Sequence, residues 1–315
     1  MLFITGGLGF IGPSVAREFV QNGEEVVVSQ FRTTRDPGLL DELFEGKVKV
    51  VQLDATDADA VERAFASVGA TEAMHLLAPP IGALQPAEEY RTNMGAFINV
   101  LEAARKLEMT RVTCASSIAV YHGFPQGPYR EDATLPVQST NPTEAYKKSE
   151  EILGLHFADR TGLDIRFARL GGIYGPLYHS IINLPSRLVH AAVKGRDPKL
   201  VRDGKPFRYA EDEDDPCYVK DVAYGLRLLH RAKDLKHRIY NIGGGRAVKS
   251  QEIADAVHKV VPSFSVELPA GKGRDSANNR YLDITRARED FGYEPRFDIE
   301  RGVRDYAEWL ADHPE

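Results

Sequence analysis

The chain has 315 residues, is 43% hydrophobic and carries a net charge of −6 with both signs interspersed. That composition supports a sizeable core in one large or two modest domains and excludes long-range disorder. No basic block points to nucleic acid, and no stretch is long enough to span a membrane, so neither is expected as a partner.

Elements follow in chain order. Leu2-Phe3-Ile4 reads as a short buried strand, followed by Thr5-Gly6-Gly7-Leu8-Gly9-Phe10-Ile11-Gly12. Glycines at 6, 9 and 12 let a backbone approach a pyrophosphate, and the helix that follows presents free N–H groups to it. An amphipathic stretch from Phe10 to Asn22, stopped by Gly23, leads to a second parallel strand at Val26-Val27-Val28. Strands are predicted at 48–53, 73–77 (ending at Ala78-Pro79-Pro80), 111–116 and 164–170, alternating with helices at 57–66, about 86–107 and 143–160. Asp57 is a candidate cap. A Gly- and Pro-rich loop covers 122–142. The alternation predicts an α/β fold with a doubly wound parallel sheet of Rossmann type.

After Gly171 the pattern loosens. Helices are predicted at 181–193, 218–231, 250–261 (capped by Ser250), 285–291 and 299–311, with strands at 199–201 and 238–242. A smaller, discontinuous C-terminal lobe is expected, formed by about 171–216 plus 244–315, against a dinucleotide-binding domain of 1–170 plus about 217–243. The run Glu211-Asp212-Glu213-Asp214-Asp215 reads as a solvated loop. Its carboxylates lack the glycine-punctuated spacing of a calcium loop, and no metal is expected. Cys114 and Cys217 fall in separate motifs, which fits a reducing compartment; with no signal peptide apparent, the expected location is cytoplasmic.

Together these segments resemble the extended short-chain dehydrogenase/reductase family, the group of the NAD(P)-dependent epimerases and dehydratases. Beyond the glycine turn, Leu53-Asp54-Ala55-Thr56-Asp57 resembles the acidic turn that holds the adenine, and His75-Leu76-Leu77-Ala78 the strand end lying along the cofactor. The segment 93–104 resembles the family's long fourth helix, with Asn93 at a structural asparagine. Cys114-Ala115-Ser116-Ser117-Ile118-Ala119-Val120-Tyr121 resembles the serine segment. Counting back from Tyr121, Ser117 takes the catalytic Ser/Thr position, with Ser116 the alternative. Arg169 to Pro176 resembles the segment passing the nicotinamide, and motifs at 218–223, 240–245, 283–287 and 292–295 extend the likeness over nearly the whole chain. The resemblance implies an NAD(P) site formed by Gly6, Gly9, Phe10, Ile11, Gly12, Arg32, Asp54, Ala55, Leu77, Ala78, Asn93, Tyr146 and Gly172. It also implies hydride transfer at a carbinol carbon of a sugar, nucleotide-sugar or sugar-like substrate, and a homodimer through the helices holding Asn93 and Tyr146.

One departure bears on the chemistry. The family's hallmark is Tyr-x-x-x-Lys on a helix; here the helix reads Ala145-Tyr146-Lys147-Lys148-Ser149-Glu150. Tyr146 matches the proton-transferring tyrosine, but Glu150 stands at the lysine position, and a carboxylate raises a phenol pKa where an ammonium lowers it. Helical geometry, with ~100° per residue, places Lys147 and Lys148 off the face of Tyr146, and both read as solvated surface lysines. The enzyme would work with altered pH dependence, recruit another cation or a water, or bind cofactor as a regulator without turnover. At the end of the second strand, Ser29 to Arg35 holds no carboxylate, and Arg32 and Arg35 favour NADP over NAD. Ile118 and Ala119 after Ser117 cannot exchange protons, which argues against sugar dehydration. Arg208 and Arg274 are the candidates for substrate phosphate.

Overall fold

The computed structural model describes residues 1–78, 84–202, 204–274 and 276–313; Pro79 and Pro80, expected at the end of the fourth strand, and the last two residues of the expected lobe lie outside these. In chain order the first half comprises β1 (Leu2–Thr5), α1 (Gly12–Gln21), β2 (Val26–Gln30), α2 (Pro37–Phe44), β3 (Val48–Gln52), α3 (Ala58–Ser67), β4 (Glu72–His75), α4 (Pro86–Lys106), β5 (Arg111–Ser117), a 3-10 turn (Ile118–Tyr121), α5 (Pro142–Thr161) and β6 (Asp164–Leu170). Then come β7 (Gly172–Tyr174), α6 (Leu184–Lys194), β8 (Val201–Arg202), β9 (Lys205–Pro206), β10 (Glu213–Asp214), β11 (Pro216–Tyr218), α7 (Val219–Arg231), β12 (Ile239–Ile242), β13 (Val248–Lys249), α8 (Ser250–Val260), α9 (Thr285–Phe291) and α10 (Ile299–Asp312).

The central sheet runs β12-β6-β5-β4-β1-β2-β3, and every pairing in it is parallel. This is the doubly wound arrangement the alternation predicts. Both faces of β1 are covered, so Leu2, Phe3 and Ile4 read as an unbroken apolar run and are fully buried. One core packs α1 and α7 against the sheet around Phe19, Leu226 and Tyr240. The other packs α3, α4 and α5 around Phe65, Phe97 and Phe167. A third core joins α6, α8 and α10 around Leu188, Ile253 and Tyr306. β12 and α7 join this sheet layer after the chain has left it to form β7, α6 and the short strands β8 to β11.

Local chemistry explains the boundaries. The Asp57 carboxylate accepts from Ala60 N (2.9 Å), the cap expected for α3. Ser250, expected as a cap, is instead the first residue of α8; the carboxylate of Glu252 accepts from Lys249 N (2.9 Å), while Ser250 Oγ donates to Asp212 O. Helix α2 was not anticipated. Its signal is Asp36, whose carboxylate accepts from Leu39 N (3.1 Å), with Pro37 at the first helical position.

Candidate active site

The order of strands reverses between β1 and β4, and a crevice opens there at their carboxyl ends. The glycine turn forms its floor. Gly6 has φ +73°, and a Cβ on it would lie 2.9 Å from Leu77 Cα. A Cβ on Gly12 would lie 2.3 Å from Gly7 O, so the turn closes only without side chains. Ile11 gives α1 no side-chain cap, leaving the N–H groups of its first turn available to an anion. The floor therefore fits a pyrophosphate. The Phe10 ring stacks on Tyr178 with centroids 4.4 Å apart, covering one side.

Around this floor the structure sorts the expected residues. Ser29 Oγ accepts from Gly6 N (3.0 Å). Arg35 reaches across the turn, its Nε donating to Leu8 O (3.1 Å) and its Nη2 to Gly9 O (3.2 Å). Arg32 is exposed beside the ring of Phe31. Asp54 accepts from Thr56 N (3.0 Å) and Thr56 Oγ1 (2.7 Å), which folds the turn containing Ala55. Asn99, not singled out in the sequence, donates to both Ala55 O and Thr56 O (3.0 Å each) and so ties α4 to that turn. Asn93 is buried and donates to Glu89 O (2.9 Å) within its own helix.

Directly beside the glycine turn, Thr5 Oγ1 and His75 Nδ1 meet at 2.8 Å. Burial pushes His75 down to about 3, with the Lys147 ammonium acting in the same direction, so the ring is neutral. Ser117 ends β5 half-buried, and its Oγ accepts from Ala119 N (3.1 Å). Ser116 is buried and donates to Glu151 Oε1 (2.5 Å). Glu151 takes a bidentate grip from Arg169, at 2.9 and 2.7 Å, and Arg169 also donates to Tyr121 Oη (2.7 Å). Tyr121 passes the chain of bonds on to Asn241 Oδ1 (3.1 Å). This network occupies Ser116 and locks α5 to β5 and β6. Gly172, from the segment expected along the nicotinamide, donates its N–H to Asp215 O (2.8 Å).

The rotation of α5 overturns the reading of its lysines. Gly154 faces the sheet, since a Cβ there would lie 2.5 Å from the Phe167 ring. With 3.6 residues per turn, Lys147 and Ala158 share that stripe. Lys147 is accordingly buried rather than solvated, and its Nζ donates to Glu150 Oε2 at 2.8 Å; the two side chains are 9% and 3% exposed. Its charge acts on His75 and Cys114, which are paired neighbours on β4 and β5. Lys148 is buried as well, donating to Pro136 O (2.5 Å), Gln138 O (3.0 Å) and Glu144 Oε1 (2.8 Å). Burial pushes the Glu150 carboxyl above its ordinary range against the pull of Lys147. Tyr146 is turned toward α4, its ring 5.9 Å from that of Tyr90. Burial and the Glu89 carboxylate, with which it is hydrogen-bonded, push its phenol above the usual value.

The acidic run is also corrected. Asp212 and Asp215 are buried. Asp212 accepts from Tyr209 N (2.9 Å) and Gly273 N (2.8 Å); Asp215 accepts from Gly244 N (2.6 Å) and Leu282 N (2.9 Å). Asp212 thus ties Tyr209 to Gly273, and Asp215 ties Gly244, just past β12, to Leu282, instead of facing water. Arg208 is bound to Asp214 (2.8 Å), as is Arg280 (3.2 Å), so the two cations share one carboxylate. Arg274 is exposed. Among the described residues no group of His, Cys, Asp or Glu could hold a metal ion, and no helix is long and apolar enough to cross a membrane.

Comparison with known proteins meets this geometry directly. The NAD dependent epimerase/dehydratase family matches residues 2–243, from β1 to just past β12. The chain belongs to that family. Among its relatives, UDP-glucuronate 4-epimerase of Thermodesulfobacterium geofontis is 24% identical, covering 99% of this chain and 96% of that protein. UDP-N-acetyl-alpha-D-glucosaminuronate decarboxylase of Bacillus cytotoxicus is 28% identical over 98% and 97%. Among solved structures, UDP-glucose 4-epimerase of Thermotoga maritima with UDP-glucose superposes with a TM-score of 0.82 at 23% identity, over 99% and 98% of the two chains. The Thermus thermophilus UDP-glucose 4-epimerase complex with NAD gives 0.78 at 23%, over 98% and 97%. As an NAD dependent epimerase/dehydratase family member, the chain shares its fold with enzymes of different named reactions.

Proposed function

We propose that this family member is an NAD(P)-dependent oxidoreductase or epimerase that transfers hydride at a carbinol carbon of a sugar, nucleotide-sugar or sugar-like substrate. The observation that carries the reading is the buried Lys147 ammonium acting on His75, which ends β4 beside Thr5 and the glycine turn, and on its neighbour Cys114 in β5, the strand that Ser117 ends. A bound nicotinamide would supply the hydride acceptor or donor.

We read α5 one turn earlier than its Tyr146-to-Glu150 segment invites. Lys147 then takes the lysine's part, holding ribose hydroxyls, and the position four residues before it falls on Thr143. Ser117 Oγ orients the substrate oxygen, and Thr143, on the stripe of Lys147, positions it from the helix side. An aliphatic hydroxyl does not ionise in the physiological range. Proton exchange therefore falls to the Lys147 Nζ–Glu150 Oε2 pair, and Tyr146, turned to α4, is not required. Arg32 and Arg35 support NADP over NAD, with Arg35 already placed across the turn. Asp214 on Arg208 weakens a diphosphate contact there and leaves Arg274 as the candidate. The exposed Tyr90 and Ile98 of α4 and Ile152 and Leu153 of α5 support a homodimer through these two helices. The two buried free cysteines fit a cytoplasmic location.

The test is incubation of the purified protein with NAD+ or NADP+ and a panel of nucleotide sugars and sugar alcohols. Absorbance of the reduced cofactor reports a dehydrogenase, and product analysis without net reduction reports an epimerase. Glu150→Gln is expected to abolish either, whereas Tyr146→Phe retains it. A second reading, a cofactor-binding regulator without turnover, is favoured by the neutralisation of Lys147 by Glu150; tight cofactor binding with no product across the panel would establish it.

A further inference from the structure

A cavity of about 430 Å³, lined by none of the glycines of the turn, lies between α1, α7 and α10. It is reached from the stripe of α1 formed by Ser14, Arg17, Glu18 and Gln21, whereas Val15, Ala16, Phe19 and Val20 face the core. Its lining carries Arg17, Lys220, Arg296 and Arg301 against a single carboxylate, Glu18. In a chain of net charge −6 this concentration of cations is not the default. Three of them have partners: Lys220 with Asp305 (2.7 Å), Arg296 with Glu18 (3.4 Å) and Asp221 (3.8 Å), and Arg301 donating to Arg296 O (2.9 Å). Arg17 is half-buried and, among the described residues, makes no hydrogen bond or ion pair. The Glu45 carboxylate acts on it without bonding to it, and a guanidinium drawn partly out of water with no bonded anion would gain from one bound beside it. Phe297 and Trp309 supply an aromatic wall beside these charges; His313 stacks on Trp309 at 3.6 Å.

We propose that this cavity binds a phosphomonoester carrying a flat ring, of nucleoside monophosphate size. The volume lies in the range of small-molecule sites, and arginines match a phosphate bidentately while the aromatic wall takes the ring. The proposal stands apart from the reaction at the glycine turn.

Trp309 is the only tryptophan in the chain, so its emission reports on this cavity. The full-length protein is titrated with AMP, with ribose 5-phosphate and adenosine as separate arms, exciting beyond the adenine absorption. AMP is expected to give a saturable change that is unaffected by saturating NAD+, with each half alone weaker. Arg17→Gln with Arg301→Gln is expected to weaken AMP by about tenfold or more. Arg17→Gln alone, which breaks no hydrogen bond or ion pair among the described residues, is expected to give a smaller loss. No saturable change at millimolar AMP, equal affinity in the double variant, or loss of the signal on adding NAD+ would overturn the proposal.

Discussion

Replacing Lys147 by Met tests whether the lysine of α5 is a buried partner or a surface charge. The two side chains are less than a tenth exposed and meet at 2.8 Å, so removal of the ammonium leaves Glu150 without its counter-charge inside the protein. Breaking one side of a buried pair costs about 3–5 kcal/mol, a large part of a total stability of roughly 5–15 kcal/mol. Removing both charges with Lys147→Met and Glu150→Leu takes away the stranded carboxylate and is expected to recover most of that loss. A solvated lysine pair contributes only about 0–1 kcal/mol, and its loss needs no second substitution. Urea unfolding followed by circular dichroism gives the three free energies and hence the coupling between the two sites. A Lys147→Met cost below about 1 kcal/mol, or a double variant as unstable as the sum of its parts, would refute the placement of this stripe against the sheet.

Other expectations follow from the same structure. Burial raises Asp215 from 3.8 to about 7, so the folded protein holds a proton the unfolded chain has released; stability from this group is full below the unfolded value and falls as pH rises toward 7. The gap corresponds to about 4 kcal/mol at most, and Asp215→Asn is expected to flatten the decline in unfolding free energy between pH 4 and 7; a variant with the parent slope would assign the decline elsewhere. Ile152→Glu with Leu153→Glu is expected to convert the proposed dimer to a monomer in sedimentation experiments, and an unchanged sedimentation coefficient would move the interface off α5. Arg35→Ala removes the guanidinium crossing the glycine turn and is expected to weaken NADP+ more than NAD+ in calorimetric titration; equal losses would restrict Arg35 to holding the turn.

Much of the fold is legible because it rests on local regularities. Residues 164–170 form the strand their apolar spacing predicts, and Asp57 caps α3 because a carboxylate there reaches an N–H left open by the helix. The glycine turn is legible for the same reason, each residue acting on its immediate neighbours. The rotation of α5 is set from outside, by Phe167 and Phe97 closing on Gly154. Tyr146 with Glu150 four residues on is a stronger local pattern than the small residues Gly154 and Ala158, which mark the packed stripe together with Lys147. The acidic run misleads likewise, since a line of carboxylates does not show the backbone N–H groups of Gly244, Gly273 and Leu282 that draw Asp212 and Asp215 inward.

Native mass spectrometry of the intact protein with NAD+ or NADP+, beside a folded Gly12→Val variant, tests the central claim most directly. A valine Cβ at this position would lie 2.3 Å from Gly7 O and disrupt the floor of the crevice. One dinucleotide per chain on the parent and none on the variant is the predicted result. A parent that takes up neither cofactor, or a variant that loads as fully as the parent, would contradict it.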